Sequence, residues 1–108
     1  MKCPVCEKEL TLALQPEYSS SGVWCFECGV NFSNPKDSFL HIPPLLFEMV
    51  ERWNMLWETL CDGRKTINNK NLWIRVLTDM GEELQKEISA YEKCDFDPYF
   101  LFVDELNG

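Results

Sequence analysis

Cys3-Pro4-Val5-Cys6 and Cys25-Phe26-Glu27-Cys28 decide how the first third of this chain is built. Two residues separate the cysteines within each pair and 18 separate the pairs, so the whole reads C-x2-C-x18-C-x2-C. Two intervening residues let the backbone curl until both sulfurs of a pair face one point. Two such loops then surround a tetrahedral ion with metal–sulfur bonds of about 2.3 Å. This spacing points to zinc, and four thiolates leave no open position for water, so the ion is structural rather than catalytic. The expected site is therefore Cys3, Cys6, Cys25 and Cys28 holding one Zn2+ per chain. Gly29 after the second pair can take the positive φ on which such a loop ends, whereas Glu7 at the equivalent place after the first departs from that pattern.

Between the pairs, Leu10-Thr11-Leu12-Ala13-Leu14-Gln15 places a leucine at every second position, the period of a half-buried strand, and Pro16 interrupts it. The turn-rich Glu17-Tyr18-Ser19-Ser20-Ser21-Gly22 leads to a second short apolar run at Val23-Trp24. Residues 1–34 thus read as a small β-ribbon, and their two cysteine loops resemble the zinc-ribbon family. The resemblance implies ligation by the four cysteines. It implies no activity, because that family serves nucleic-acid binding, protein binding and scaffolding alike. Iron-holding rubredoxins use similar loops, but Glu7 stands where such a loop uses glycine. A ribbon of this size has little core, so Trp24 and Phe26 are expected to cover the metal site and join it to the rest of the chain.

Residues 35–43 read as a linker, and after Pro43-Pro44 the apolar period changes from two to that of a helix. The pattern predicts a helix from Pro44 to Leu60 with Leu46, Met49, Val50, Trp53, Leu56, Trp57 and Leu60 on one stripe. A second helix is predicted from Asn69 to Glu92, with a seam through Trp73, Val76, Leu77, Met80, Leu84, Ile88 and Tyr91. Gly81 within it reads as a point of close packing. Phe96-Asp97-Pro98 then carries the staple, cap and first-turn proline of a short third helix. The fold class is accordingly α+β: a zinc-ribbon hairpin module at 1–34, then an antiparallel helical hairpin and a short C-terminal helix forming one unit at 44–108. Cys61 and Cys94 read as small buried hydrophobes at opposite poles of the helices, and His41 as a half-buried loop residue.

Charge narrows the function classes. The formal charge is -8, and an acidic chain lacks the counterion-release term on which DNA and RNA binders rely. No apolar run reaches the roughly 18 residues of a membrane span, and the N-terminus lacks the order of a signal peptide, so a cytoplasmic protein is expected. A glycine-rich phosphate loop, a nucleophile elbow and a histidine-rich metal motif are all absent from the sequence, so no enzyme is expected. The reading that remains is a small acidic regulator or inhibitor that binds another protein, such as an accessory subunit, an immunity protein or a phage or mobile-element inhibitor, with homodimerisation through the helices as a subsidiary expectation. The alternative is a nucleic-acid-associated zinc-ribbon protein of transcription or DNA/RNA processing.

Overall fold

Alternating leucines do at β1 (Leu12–Leu14) what their period predicts: Leu12 and Leu14 are buried and Ala13 faces the other way. In β2 (Val23–Cys25) Val23 and Cys25 are buried and Trp24 points opposite. The two strands pair antiparallel, Leu12 opposite Cys25 and Leu14 opposite Val23, so their four inward side chains share one face. The computed structural model describes residues 1–32, 40–62 and 70–97.

A third strand, β3 (Cys94–Phe96), lies parallel to β1 and gives the order β2-β1-β3. No strand period marks it in the sequence, where Phe96 reads as the staple of the expected third helix. Instead, Cys94 pairs with Leu12 and Phe96 with Leu14, and the Leu12 N–H donates to the Lys93 carbonyl at 2.8 Å. The physical reason is that β1 buries its side chains on one face while its second edge needs a backbone partner, and a three-residue segment can supply that partner without a strong pattern of its own. The expected C-terminal helix falls on residues 98–108, outside those described, as do 33–39 of the ribbon and linker and 63–69.

Two helices complete the described fold. The first, α1 (Pro44–Asp62), begins at the proline the sequence marked, and α2 spans Lys70–Ser89 without a break at Gly81. They pack on each other, with the Trp53 indole N–H donating to the Leu77 carbonyl at 2.9 Å. Their inward faces match those predicted in part: Val50, Trp53, Trp57 and Leu60 on α1 and Leu77, Leu84 and Ile88 on α2 are buried as expected, and the rest differ. On α1 the buried positions are Phe47, Val50, Trp53, Asn54, Trp57, Leu60 and Cys61, while Met49 and Leu56 stand in solvent. On α2 they are Leu77, Gly81, Leu84 and Ile88, while Trp73, Val76 and Tyr91 are exposed. Both helices carry apolar residues around much of their circumference, so period alone does not say which stripe faces in. β3 decides it for α2: the Phe96 ring lies so close over Gly81 that any Cβ there would collide with it, and it meets Trp53 edge-on at 5.7 Å.

The segment between β1 and β2 is fastened to α1 by polar side chains one helical turn apart. Buried Asn54 accepts the Glu17 N–H and donates to the Glu17 carbonyl, both at 2.9 Å, and reaches the Ser20 carbonyl at 3.4 Å. Glu58 accepts the Ser19 N–H at 2.9 Å, and Asp62 accepts the Tyr18 hydroxyl at 3.2 Å. The Tyr18 ring packs on Trp57 with centroids 5.1 Å apart. Leu40 and Ile42, just ahead of α1, are buried in the same apolar cluster as Leu12, Val23, Val50, Trp53 and Ile88.

Candidate metal centre

Two backbone loops of the same construction present the cysteines. In the first, the Cys3 N–H donates to the Lys8 carbonyl and the Glu7 N–H to the Cys3 carbonyl, both at 2.9 Å. In the second, the Cys25 N–H donates to the Val30 carbonyl and the Gly29 N–H to the Cys25 carbonyl, again at 2.9 Å. Single antiparallel bridges, Lys2 with Glu9 and Trp24 with Asn31, close the two loops at equivalent places. Gly29 takes φ 77° as expected, and Glu7 takes φ 62° although it is not glycine. The departure at Glu7 therefore changes the cost of the turn, not its shape: a Cβ in the left-handed region costs about 1–2 kcal/mol.

The loops bring the four sulfurs together. Cys3 and Cys28 Sγ are 3.8 Å apart, Cys6 and Cys25 Sγ 3.9 Å, and all four lie within 4.8 Å of one another. A tetrahedron with bonds of about 2.3 Å has edges of about 3.8 Å, and the Cys3–Cys28 and Cys6–Cys25 separations match those edges. None is joined in a disulfide. Cys3 and Cys25 are buried under the sheet, Cys6 is half-buried and Cys28 is exposed, so the centre sits at the protein surface with its inner half anchored in the core. Among the described residues this is the one cluster of three or more Cys, His, Asp or Glu side chains able to hold a metal.

Electrostatics split the thiols. Burial opposes ionisation of Cys3, but the N–H groups of Cys6 and Val5 and the thiols of Cys25 and Cys6 outweigh it and hold its pKa at about 7. At Cys28 the Val30 N–H favours the thiolate, while burial and the hydrogen bonds to Cys25, Cys3 and Cys6 push the thiol up to about 11. Four sulfurs this close cannot all carry negative charge in the absence of a cation, and a dication removes that conflict.

The other residues singled out in the sequence stay apart from the cluster. Cys61 on α1 and Cys94 on β3 are buried, as expected of small hydrophobes, and burial together with Asp95 pushes the Cys94 thiol up to about 12. His41 is exposed, not half-buried. Phe26 is 56 % exposed and Trp24 lies on the outer side of the sheet, its indole N–H donating to the Gln15 carbonyl at 2.8 Å, while Cys3 and Cys25 belong to the same buried apolar cluster as Leu10, Leu12 and Val23. Asn54 was not singled out at all. Its only sequence signal is a polar residue between Trp53 and Trp57 on an apolar stripe.

Comparisons with family models, with curated proteins and with solved structures find no match for this chain. Among the described residues, no helix is long and apolar enough to cross a membrane.

Proposed function

We propose that Cys3, Cys6, Cys25 and Cys28 hold one structural zinc ion in a zinc-ribbon-like loop pair, and that the chain is a non-enzymatic, cytoplasmic protein that regulates or inhibits another protein by binding it. The observation that carries the metal assignment is the gathering of all four sulfurs within 4.8 Å of one another. A full set of four thiolates gives zinc its preferred closed coordination and leaves no site for substrate. Borrowed stability of this kind suits a small chain whose task is to present a surface.

The binding half of the proposal is supported by apolar side chains left in solvent on both helices, among them Met49, Met55, Leu56 and Trp73. Contiguous apolar surfaces of this kind mark contact sites, and Met49, Met55 and Leu56 line adjoining stretches of the α1–α2 seam. The nucleic-acid alternative has the outer face of the sheet in its favour, where Trp24 and Phe26 border a groove of about 610 Å³. Glu17, Asp95 and Asp97 line the same groove, however, and carboxylates there repel phosphate.

Elemental analysis of the purified chain tests the metal, with one zinc per chain expected and iron with a red colour pointing to the rubredoxin-like alternative. Affinity capture from host lysate, with and without nuclease, tests the binding: protein bands that survive nuclease are expected. Recovery of nucleic acid alone would reject the protein-binding reading.

A further inference from the structure

We propose that the seam between α1 and α2 is a docking groove for an amphipathic helix of the partner protein, one that carries lysine or arginine along its flanks. The inference rests on the protein-binding reading above and adds where the partner sits and what its chemistry is.

The groove is built from both helices. Leu46 and Met49 of α1 and Met80 and Leu84 of α2 line a stretch of about 570 Å³. Met80 also lines the next stretch, of about 690 Å³, with Met55 and Leu56, so the two run on from each other along the seam. From Leu46 to Thr59 this covers 14 helical positions of α1, a rise of about 20 Å at ~1.5 Å per residue, which matches three to four turns of a docked helix. Three of the apolar side chains are methionines, whose unbranched, polarizable chains adapt to the face of an incoming helix.

Charge selects the occupant. Asp79, Glu83 and Glu87, spaced four residues apart, line one side of the first stretch, and Glu48, Glu51 and Arg52 border the second. The single guanidinium is already 3.3 Å from Glu48, and Lys86 reaches Glu83 at 3.7 Å, both exposed pairs that solvent screens. Among the described residues five carboxylates and one guanidinium line the two stretches, an apolar floor with an acidic border. A second copy of the chain would lay the same carboxylates against themselves. The chain's own residues 98–108 bring apolar side chains but also Asp104 and Glu105, and no cation. Anionic lipid and nucleic acid are repelled for the same reason. A helix with an apolar stripe and basic flanks meets both the floor and the border.

The test uses the full-length, zinc-loaded chain and a fluorescently labelled peptide of about 14 residues with leucines at i, i+3, i+7 and i+10 and lysines on both flanks. A second peptide replaces every lysine by glutamate. Anisotropy titration is expected to show the lysine peptide binding at least about tenfold more tightly, less tightly as salt rises, and at least about tenfold more weakly to Met49→Asp and to the triple variant Asp79→Lys, Glu83→Lys, Glu87→Lys. Helicity by circular dichroism and zinc content, unchanged in both variants, exclude misfolding as the cause. Equal affinity for the two peptides, or variants that bind like the parent chain, would overturn the groove. So would tighter peptide binding after removal of residues 98–108, which would make that segment the occupant, or a dimer in light scattering that Met49→Asp dissociates, which would make it a second copy. In lysate capture, a partner kept equally by parent and variants rejects the groove alone. No nuclease-resistant partner at all rejects the underlying reading.

Discussion

The cysteine loops and the helix pair are ordered by different means. In the loops, the backbone hydrogen bonds of the first have their counterparts in the second: Cys3 and Cys25, Glu7 and Gly29, Lys8 and Val30 make the same bonds. Their geometry is local, and a short motif is enough to specify it. In the helices, Met49 and Leu56 match the apolar period as well as Val50 and Trp57 do, yet they stand in solvent while the other two are buried. What separates them is long-range: Asn54 binding the segment after β1 on one helix, Phe96 lying over Gly81 in the other. A motif-ordered region tolerates little change at its ligands and much elsewhere. A packing-ordered region distributes its sensitivity over residues with no motif.

The largest effect should follow from breaking the local order. Cys25→Ser is expected to abolish zinc binding, and because structural zinc contributes about 10–16 kcal/mol, the loops should unfold with it; chelation should do the same. Changing Cys61 and Cys94 together to Ala should leave zinc content intact. Elemental analysis of the variants separates these outcomes, and loss of zinc from the Cys61/Cys94 variant would show that the ligands are wrongly assigned.

Next in size is the long-range fastening. Asn54→Ala removes the buried side chain's hydrogen bonds to the Glu17 N–H, the Glu17 carbonyl and the Ser20 carbonyl, so urea unfolding should report a loss of about 1–3 kcal/mol. Zinc content should be unaffected. Gly81→Ala should also destabilise, by about 1–2 kcal/mol, because overpacking against Phe96 outweighs the roughly 1 kcal/mol that alanine gains in a helix. A stabilised Gly81→Ala protein would mean that β3 does not hold Phe96 over α2.

Smaller effects sharpen the comparison from the other side. Glu7→Gly should stabilise the zinc-loaded protein by about 0.5–1 kcal/mol, since it relieves the left-handed strain at the cost of some unfolded-state entropy. The same substitution at Ser19, also at positive φ, lies outside the motif and offers a control. Cys94 supplies the pH dependence. Its folded pKa of about 12 lies above the ordinary 9.0, so the stability contributed by keeping it a buried thiol is complete below pH 9 and declines as pH rises from there toward 12. Cys94→Ala should lessen that alkaline decline relative to the parent chain in thermal melts.

Legibility followed the range of the interaction. The gathering of Cys3, Cys6, Cys25 and Cys28, the burial of Leu12 and Leu14, the start of α1 at Pro44 and the close packing at Gly81 are all readable, because cysteine spacing, strand period, a helix-opening proline and a missing side chain each act within a few residues of themselves. On the helices Val50, Trp53, Trp57, Leu60, Leu77, Leu84 and Ile88 face inward as the period predicts while Met49, Leu56, Trp73, Val76 and Tyr91 do not, and the strand at Cys94–Phe96 carries no signal of its own in the sequence. The sequence by itself determined which four side chains gather and that β1, β2, α1 and α2 form where they do. Tertiary structure alone decided that Cys94–Phe96 would complete the sheet, that Asn54 would be buried while Met49 stayed out, and which apolar residues remained for a groove. The reason is that a helix with apolar residues on several sides has several stripes of similar burial energy, and only the partners available across the fold, a backbone edge for β3 and the carbonyls of Glu17 and Ser20 for Asn54, choose among them.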